Sequence, residues 1–215
     1  MKKALISLLV LALQTAFFVT LFSFVTPEPP SVKIGDQIWM KFNLNVDRFR
    51  NGDIIPEAKT EGEWKEAGKY KQPAWCYYDN DPKYGEKYGK LYNWYAVNDP
   101  RGLAPKGWHI PSDAEWTELT DYLGGQKKAG AKMKSKEGWS DGGNGTNSSG
   151  FSGLPGGHRT TNGTFDAIGL YGDWWSSSEA STYDAWRFNL NWLGSVGGRV
   201  ESNKERGFSV RCLRD

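Results

Sequence analysis

Histidine and cysteine are scarce in this sequence, which has two of each among its 215 residues. These residue types supply most of the nucleophiles, general bases and transition-metal ligands of enzymes. His109 lies between Trp108 and Ile110 just before a predicted helix, where a hydrogen-bonded structural role is expected. The residue spacing assembles no Ser/His/Asp constellation. The sequence therefore predicts no catalytic residues and a protein that is not an enzyme.

An excess of basic residues is also lacking, because the formal net charge is only +2 and acidic and basic residues are interleaved. Nucleic-acid binding leaves a clustered basic footprint, so we expect no nucleic-acid partner. The nearest approach to a basic patch is a set of lysines separated by Ala, Gly and Ser, which we interpret as a solvated surface segment. They are Lys127, Lys128, Lys132, Lys134 and Lys136.

One long hydrophobic run stands at the N-terminus, where Lys2 and Lys3 precede an apolar stretch from residue 4 to residue 25. Residues 1–26 are therefore predicted to be a signal peptide or an uncleaved signal anchor in the form of a hydrophobic helix, and residues 27–31 a Pro-rich spacer. The first cysteine is Cys76, too late for a lipoprotein anchor. Positive-inside orientation places the domain outside the cytoplasm, at the cell surface, in the periplasm or in the medium. Contact with membrane is expected only through this segment.

Export makes the two cysteines, Cys76 and Cys212, candidates for a single disulfide bond. Such a bond would close a loop of more than a hundred residues and contribute about 4–5 kcal/mol in the chain-entropy model. Two buried free thiols are the alternative, because cysteine is often buried without bonding.

Hydrophobic periodicity predicts a small number of elements in residues 32–215. Apolar alternation around Gly35-Asp36 predicts a β-hairpin. Apolar side chains at helical spacing predict one helix over residues 88–95, and a capping box at Ser112 and Glu115 predicts a second over residues 113–123. Residues 47–70 are predicted to be a long loop with a short helical turn.

The C-terminal half is dominated by loops and strands. Gly and Asn fill residues 138–157, which predicts a long surface loop. Alternation over residues 186–192 predicts a half-buried antiparallel strand, and Phe208, Val210 and Cys212 repeat the pattern in a last strand. Two helices followed by small antiparallel sheets and long Gly/Asn-rich loops indicate an α+β domain.

Five ordered blocks give the domain a recognisable pattern. They are residues 88–97 (YGKLYNWYAV), 104–116 (APKGWHIPSDAEW), 150–157 (GFSGLPGG), 174–179 (WWSSSE) and 207–215 (GFSVRCLRD). In these blocks the chain resembles the Fibrobacter succinogenes major paralogous domain family, over nearly everything from Val32 onward. That family is itself similar to formylglycine-generating, sulfatase-modifying enzymes, through a block matching residues 107–116. The resemblance implies a C-type-lectin-like fold and an exported bacterial surface protein.

The same resemblance raises an enzymatic alternative, because formylglycine-generating enzymes use a nearby cysteine pair to bind copper and oxidise a thiol. Here Cys76 and Cys212 lie in different blocks, so that pair is missing. A degenerate or uncharacterised enzyme of this type is the alternative to a binding protein. A structural component of a surface assembly is a third reading.

A calcium ion is the one cofactor that the loop composition suggests. Asp141, Asn144 and Asn147 supply hard oxygen ligands in the Gly-rich segment, which would form a structural Ca²⁺ site. Asn and Asp also favour turns for their own reasons, and the spacing matches no EF-hand.

Tryptophan is abundant, with eleven residues, and aromatic rings next to polar loops are typical of glycan-binding surfaces. Of Trp174 and Trp175, which point to opposite faces of a strand, we expect one to be partly exposed. The chain is thus expected to be a non-enzymatic recognition or adhesion module for a glycan or another surface protein. The candidate ligand-binding residues are Trp139, Trp174, Trp175, Trp192, His158 and Arg159, with Phe151 beside them.

Overall fold

The structure is a computed structural model that describes residues 28–215. The predicted hydrophobic helix at residues 1–26 lies outside the described residues. No helix between Glu28 and Asp215 combines the length and apolar character needed to span a bilayer.

The described residues fold into an α+β domain, as the sequence predicted. Five α-helices are present in this part of the chain. They are α1 (Glu61–Lys69), α2 (Gly85–Tyr88), α3 (Trp94–Val97), α4 (Asp113–Tyr122) and α5 (Gln126–Met133). Short 3₁₀ turns occur at Tyr78–Asn80, Pro82–Tyr84 and Ser140–Gly142.

The strands form three sheets, in the orders β1-β2-β11-β5, β10-β9-β8-β6-β7 and β3-β4. All their pairings are antiparallel except that of β6 with β8. The strands are β1 (Ser31–Ile34), β2 (Gln37–Met40), β3 (Trp75–Cys76), β4 (Leu91–Tyr92), β5 (Trp108–His109), β6 (Gly156–Arg159), β7 (Phe165–Ile168), β8 (Tyr171–Glu179), β9 (Asp184–Asn191), β10 (Gly197–Asn203) and β11 (Leu213–Arg214).

The predicted hairpin is confirmed as β1 and β2, joined by Gly35-Asp36. Gly35 has a φ of 62°, in the left-handed region that such a two-residue turn requires and that glycine adopts without strain. The end of the chain then pairs with this hairpin, since Leu213 of β11 lies opposite Trp39 of β2.

The two predicted helices had different outcomes. Helix α4 is confirmed, with both hydrogen bonds of the Ser112–Glu115 capping box in place. The predicted helix over residues 88–95 is wrong: α2 ends at Tyr88, and Gly89 follows with a φ of 72°. A Cβ at Gly89 would lie only 2.7 Å from the Leu44 carbonyl oxygen, so the two backbones approach too closely there for any side chain. The chain then forms β4 and restarts as α3 with Asn93 as its N-cap.

Two further elements replace predicted loop and surface segments. Helix α1 has nine residues and its own capping box, formed by Thr60 and Glu63, where only a short helical turn was predicted. The lysine-rich segment contains α5, and Lys134 after it is buried, not solvated. Its ammonium group donates to the Asn191 carbonyl oxygen at 3.1 Å.

Both cysteines are free thiols and both are fully buried, so the predicted Cys76–Cys212 disulfide is wrong in this structure. The alternative of two buried free thiols is the one observed. The cysteines belong to different parts of the core: Cys76 packs with Trp64 and Leu91, and Cys212 packs with Trp108 and other side chains of a second cluster. Each thiol therefore acts as a small apolar side chain.

Candidate functional site

The predicted aromatic platform is largely core. Trp174 and Trp175 are both completely buried, so the expectation that one is exposed is wrong. Strand β8 lies inside the five-stranded sheet and has a hydrophobic cluster on each face. The Trp174 indole donates to Asn43 Oδ1 at 2.8 Å, and the Trp175 indole donates to the Tyr92 carbonyl oxygen at 2.8 Å. Neither ring can reach a ligand.

The other two predicted tryptophans also contribute to packing. Trp139 is buried, and its indole N–H lies 3.1 Å from both Ser135 Oγ and the Gly153 carbonyl oxygen. Trp192 is half-buried and packs against the cluster that contains Trp139. Of the four candidates, only Trp192 keeps appreciable ring surface.

His158 and Arg159 are neighbours on β6 and have different environments. Arg159 is fully buried and donates to three backbone carbonyl oxygens, including those of Ala58 at 2.7 Å and Thr60 at 2.9 Å. Its predicted role in ligand contact is therefore wrong, because the guanidinium holds loops together. His158 is nearly buried, with its Nδ1 3.2 Å from Asp173 Oδ2.

Asp173 is the centre of a polar cluster beneath the surface at His158. Its carboxylate accepts from Asn189 Nδ2 at 2.6 Å and pairs with Arg187. Arg206 Nη1 approaches the other ring nitrogen of His158 at 3.4 Å. The buried carboxylate is thus fully supplied with donors, which is what a buried charge requires.

The side chains predicted to bind calcium are largely used within their own loop. Asn144 Oδ1 accepts from the backbone N–H of Trp139 at 3.1 Å, and Asn147 Oδ1 accepts from the backbone N–H of Ser152 at 2.8 Å. Asp141 is exposed in a 3₁₀ turn. The two amides therefore act as turn-forming groups. Within residues 28–215, no cluster of three or more His, Cys, Asp or Glu side chains has an arrangement suited to a metal ion.

An exposed aromatic ring that the sequence analysis missed is that of Tyr122, the last residue of α4. Its exposed fraction is 65%. The ring lies against Gly35 of the β1–β2 turn, where a Cβ would come within 3.0 Å of ring atom Cδ2. Gly35 thus leaves the room that the ring needs, and the hairpin supports one face of the tyrosine.

Two hollows meet at Tyr122, and we call them together the Tyr122 groove. The acidic hollow has a volume of about 530 Å³. Its lining is Ile34, Gly35, Asp36, Gln37, Glu118, Asp121 and Tyr122. The basic hollow has a volume of about 340 Å³. Its lining is Lys33, Ile34, Tyr122, Leu123, Lys132, Ser148 and Ser149.

The polar groups of the groove differ in how far they are already occupied. Gln37 donates to the Glu115 carbonyl oxygen at 3.0 Å and accepts from the Trp39 indole, so its amide is fixed. Lys132 donates to the Leu123 carbonyl oxygen at 2.8 Å. The carboxylates of the acidic hollow form no ion pair within residues 28–215 and remain free to accept hydrogen bonds. They are Asp36, Glu118 and Asp121.

A sequence signal for Tyr122 did exist. At about 100° per residue, Tyr122 falls outside the stripe formed by Trp116, Leu119 and Leu123 and on the side of Glu118. An aromatic residue on the polar flank of an amphipathic helix is expected to be exposed. The contact with Gly35 could not be read from the sequence, because the two residues are far apart along the chain.

The comparisons with known proteins agree with the block pattern of the chain. The family model described as the Fibrobacter succinogenes major domain matches residues 32–214. A search of curated proteins finds no match. The match covers the whole described domain apart from its first few residues and the last one, and the chain belongs to the Fibrobacter succinogenes major domain family.

Proposed function

We propose that this protein is an exported, non-enzymatic recognition module that binds a glycan in the Tyr122 groove. The observation that carries the proposal is the exposed Tyr122 ring, held by Gly35 between two polar hollows. A flat, supported aromatic ring offers its face to the apolar side of a sugar. Hydrogen-bonding groups on both sides of the ring suit the hydroxyls of neighbouring sugar units.

The free carboxylates next to the ring support the same ligand class. Asp36, Glu118 and Asp121 are acceptors, and sugar hydroxyls are donors that can meet them. Lys33 on the other side is exposed and can donate to ring or hydroxyl oxygens. A shallow groove with acceptors on one side and donors on the other favours a chain of sugar units over a single deeply enclosed molecule.

Fold and location belong to the proposal as well. The resemblance to formylglycine-generating enzymes supports a C-type-lectin-like assignment for the α+β domain, and short strands joined by long loops are consistent with it. The hydrophobic segment at residues 1–26 supports export to the cell surface, the periplasm or the medium. A domain outside the cytoplasm has glycans and other surface proteins as its available partners.

The cysteines lend no support to the enzymatic alternative. Burial raises the pKa of Cys76 and of Cys212 to about 12. A thiol with such a pKa contains almost no thiolate at neutral pH, and the thiolate is the nucleophile and the metal ligand. A thiol oxidation of the formylglycine type would need a reactive cysteine at a surface.

Replacement of the groove tyrosine tests the proposal. Full-length protein, in detergent, is screened against immobilised glycans and polysaccharides, and the best ligand is titrated against the Tyr122→Ala variant. We expect the variant to bind about 5- to 150-fold more weakly, since loss of one aromatic platform costs about 1–3 kcal/mol where nucleic-acid bases stack on aromatic side chains. The measurement is the dissociation constant by calorimetry.

Tyr183→Ala is the matched control, because Tyr183 is also strongly exposed, at 73%, and does not line the groove. It should bind the glycan as the unmodified protein does. Absence of binding to every glycan by a folded protein would contradict the proposal. So would equal affinities for the unmodified protein and the Tyr122→Ala variant.

A further inference from the structure

A second cavity, of about 390 Å³, lies beside His109 at the N-terminal end of α4, and we call it the His109 cavity. Glu115 lines this cavity and Glu118, one turn later on α4, lines the Tyr122 groove, whose aromatic ring lies at the other end of the helix. One part of the cavity wall is apolar, formed by the buried side chains of Val97, Leu103 and Ile110. This wall offers a surface for the apolar part of a small molecule.

Arg50 provides a fixed positive charge at the cavity. Its Nε donates to the Ala104 carbonyl oxygen at 2.9 Å, and its Nη2 donates to the Trp108 carbonyl oxygen at 3.1 Å. These two bonds hold the plane of the guanidinium. Its Nη1 makes no hydrogen bond and the group forms no ion pair within residues 28–215. A held guanidinium with a free edge is a preorganised donor for an oxyanion.

Ser177 adds a second donor to the same cavity. Its backbone N–H donates to the Pro111 carbonyl oxygen at 2.9 Å, which fixes the residue in the last part of β8. Its hydroxyl makes no hydrogen bond to any of residues 28–215. The hydroxyl is therefore available to a ligand without loss of an existing contact.

The one carboxylate that lines the cavity is already occupied. Glu115 accepts from His109 Nε2 at 2.9 Å and from Ser112 N and Oγ at 2.7 and 2.8 Å. Hydrogen bonding to the carboxylate stabilises its charged form. The Glu115 oxygens therefore already have donors, and the guanidinium of Arg50 is the charged group at the cavity that has no ion-pair partner within residues 28–215.

From this arrangement we infer that the His109 cavity binds a small organic carboxylate with an apolar body. The carboxylate accepts from Arg50 Nη1 and from the Ser177 hydroxyl, and the body packs on the wall of Val97, Leu103 and Ile110. This binding is separate from glycan recognition at Tyr122 and would remain if that proposal failed. No bond is made or broken in the ligand.

The test compares three probes on the full-length protein in detergent: benzoate, benzamide and glucuronate. Benzoate has the required charge and body, benzamide lacks the charge, and glucuronate replaces the apolar body with a polar one. We expect saturable benzoate binding by NMR titration, with shifts at Arg50 and Ser177, and at least tenfold weaker binding of the other two. Benzamide binding as strong as that of benzoate, or no saturable benzoate binding, overturns the inference.

Two variants locate the binding. Ser177→Ala removes only the free hydroxyl and keeps the backbone bond to Pro111, so it should fold normally and weaken benzoate binding about tenfold. Arg50→Gln should abolish binding, and its folding is checked by its far-UV circular dichroism. Tyr122→Ala is the control and should bind benzoate unchanged. Benzoate affinity that is the same in Ser177→Ala and the unmodified protein overturns the assignment to this cavity.

Discussion

Single side chains with buried charges hold the loops of this domain in place. Arg211 is completely buried, and Asn43 Oδ1 accepts from both its Nε and its Nη2, at 3.1 and 2.8 Å. Its Nη1 donates to the carbonyl oxygens of Met40 and Phe151 at 3.0 and 2.6 Å. A buried polar group is stable only when its hydrogen bonds are made. Arg211 therefore fixes the loop after β2 and the Gly-rich loop to the last segment of the chain.

His109 is the residue at which the fold should respond to pH. Its Nδ1 lies 2.8 Å from Asp215 Oδ1 and its Nε2 lies 2.9 Å from Glu115 Oε1. Partial burial opposes protonation of the ring, but the hydrogen bonds to the two carboxylates outweigh it and raise the pKa of His109. Only the protonated ring can donate to both carboxylates at once.

We predict that the stability contributed by His109 is lost as the pH rises. The folded-state pKa is above the unfolded value of about 6.5, so the contribution is fully present below that pH and disappears as the pH rises through the folded pKa. The free energy of unfolding is measured by urea denaturation between about pH 5.5 and 8.5. The difference between the unmodified protein and His109→Gln should shrink over this range. A difference that does not change with pH would refute the prediction.

At the scale of elements, β6 depends on one glycine for its place between two strands. Gly157 has a φ of 64° and pairs with Gly172 of β8. A Cβ at this position would lie 2.5 Å from the Asp166 carbonyl oxygen and 2.7 Å from the Ile168 N atom, both in β7. Any side chain there must push β7 away, so the glycine permits the close approach of the two backbones.

Gly157→Ala should therefore lower the free energy of unfolding much more than a glycine replacement that introduces left-handed backbone strain but no steric clash. Gly52 is the matched control, since its φ is 93° and nothing lies within 4 Å of a Cβ built on it. We expect Gly52→Ala to lower the free energy of unfolding by about 1–2 kcal/mol, the cost of left-handed backbone for an L-residue. Gly157→Ala should lower it by at least twice as much, measured by urea denaturation. Equal losses of unfolding free energy in the two variants would contradict the prediction, because β7 would then have moved away without an energetic cost.

At the scale of the whole molecule, the core is divided into three hydrophobic clusters, joined through the sheets. The first contains Trp175, the second Trp174 and the third Trp64. Neighbouring tryptophans on β8 thus serve different clusters, because alternate side chains of a strand point to opposite faces. The buried tryptophans are distributed over all three clusters, where their large rings fill much of the interior.

Burial of the two cysteines in separate clusters predicts how their thiols react. Burial raises the pKa of Cys76 and of Cys212 to about 12. Both thiols should therefore react only slowly with a thiol reagent such as DTNB in the folded protein. In guanidinium chloride, two equivalents of thiol should react at once. Reducing agent should leave the melting temperature unchanged. A fall in melting temperature on reduction, or fewer than two reactive thiols after unfolding, would instead indicate a disulfide.

Local signals in the sequence were sufficient for some elements and insufficient for others. The β1–β2 turn and α4 were predicted because Gly35 and the Ser112–Glu115 capping box act within a few residues. The helix predicted over residues 88–95 is absent. That prediction rested on the apolar spacing alone and gave no weight to Gly89, which ends α2. The predicted exposure of Trp174 or Trp175 was wrong. Their exposure depends on what covers each face of β8, and hydrophobic periodicity does not specify that.

By itself, the sequence determined the family, the α+β class and the ends of the elements that are capped locally, because ordered blocks, turn residues and caps are properties of neighbouring residues. Only the tertiary structure decided which aromatic rings are exposed, where the cysteines lie and which groups meet at Tyr122 and at His109. Burial and contact arise between segments that are distant in the chain, such as Gly35 with Tyr122 and Asp215 with His109. Their proximity is set by how the sheets and helices pack together.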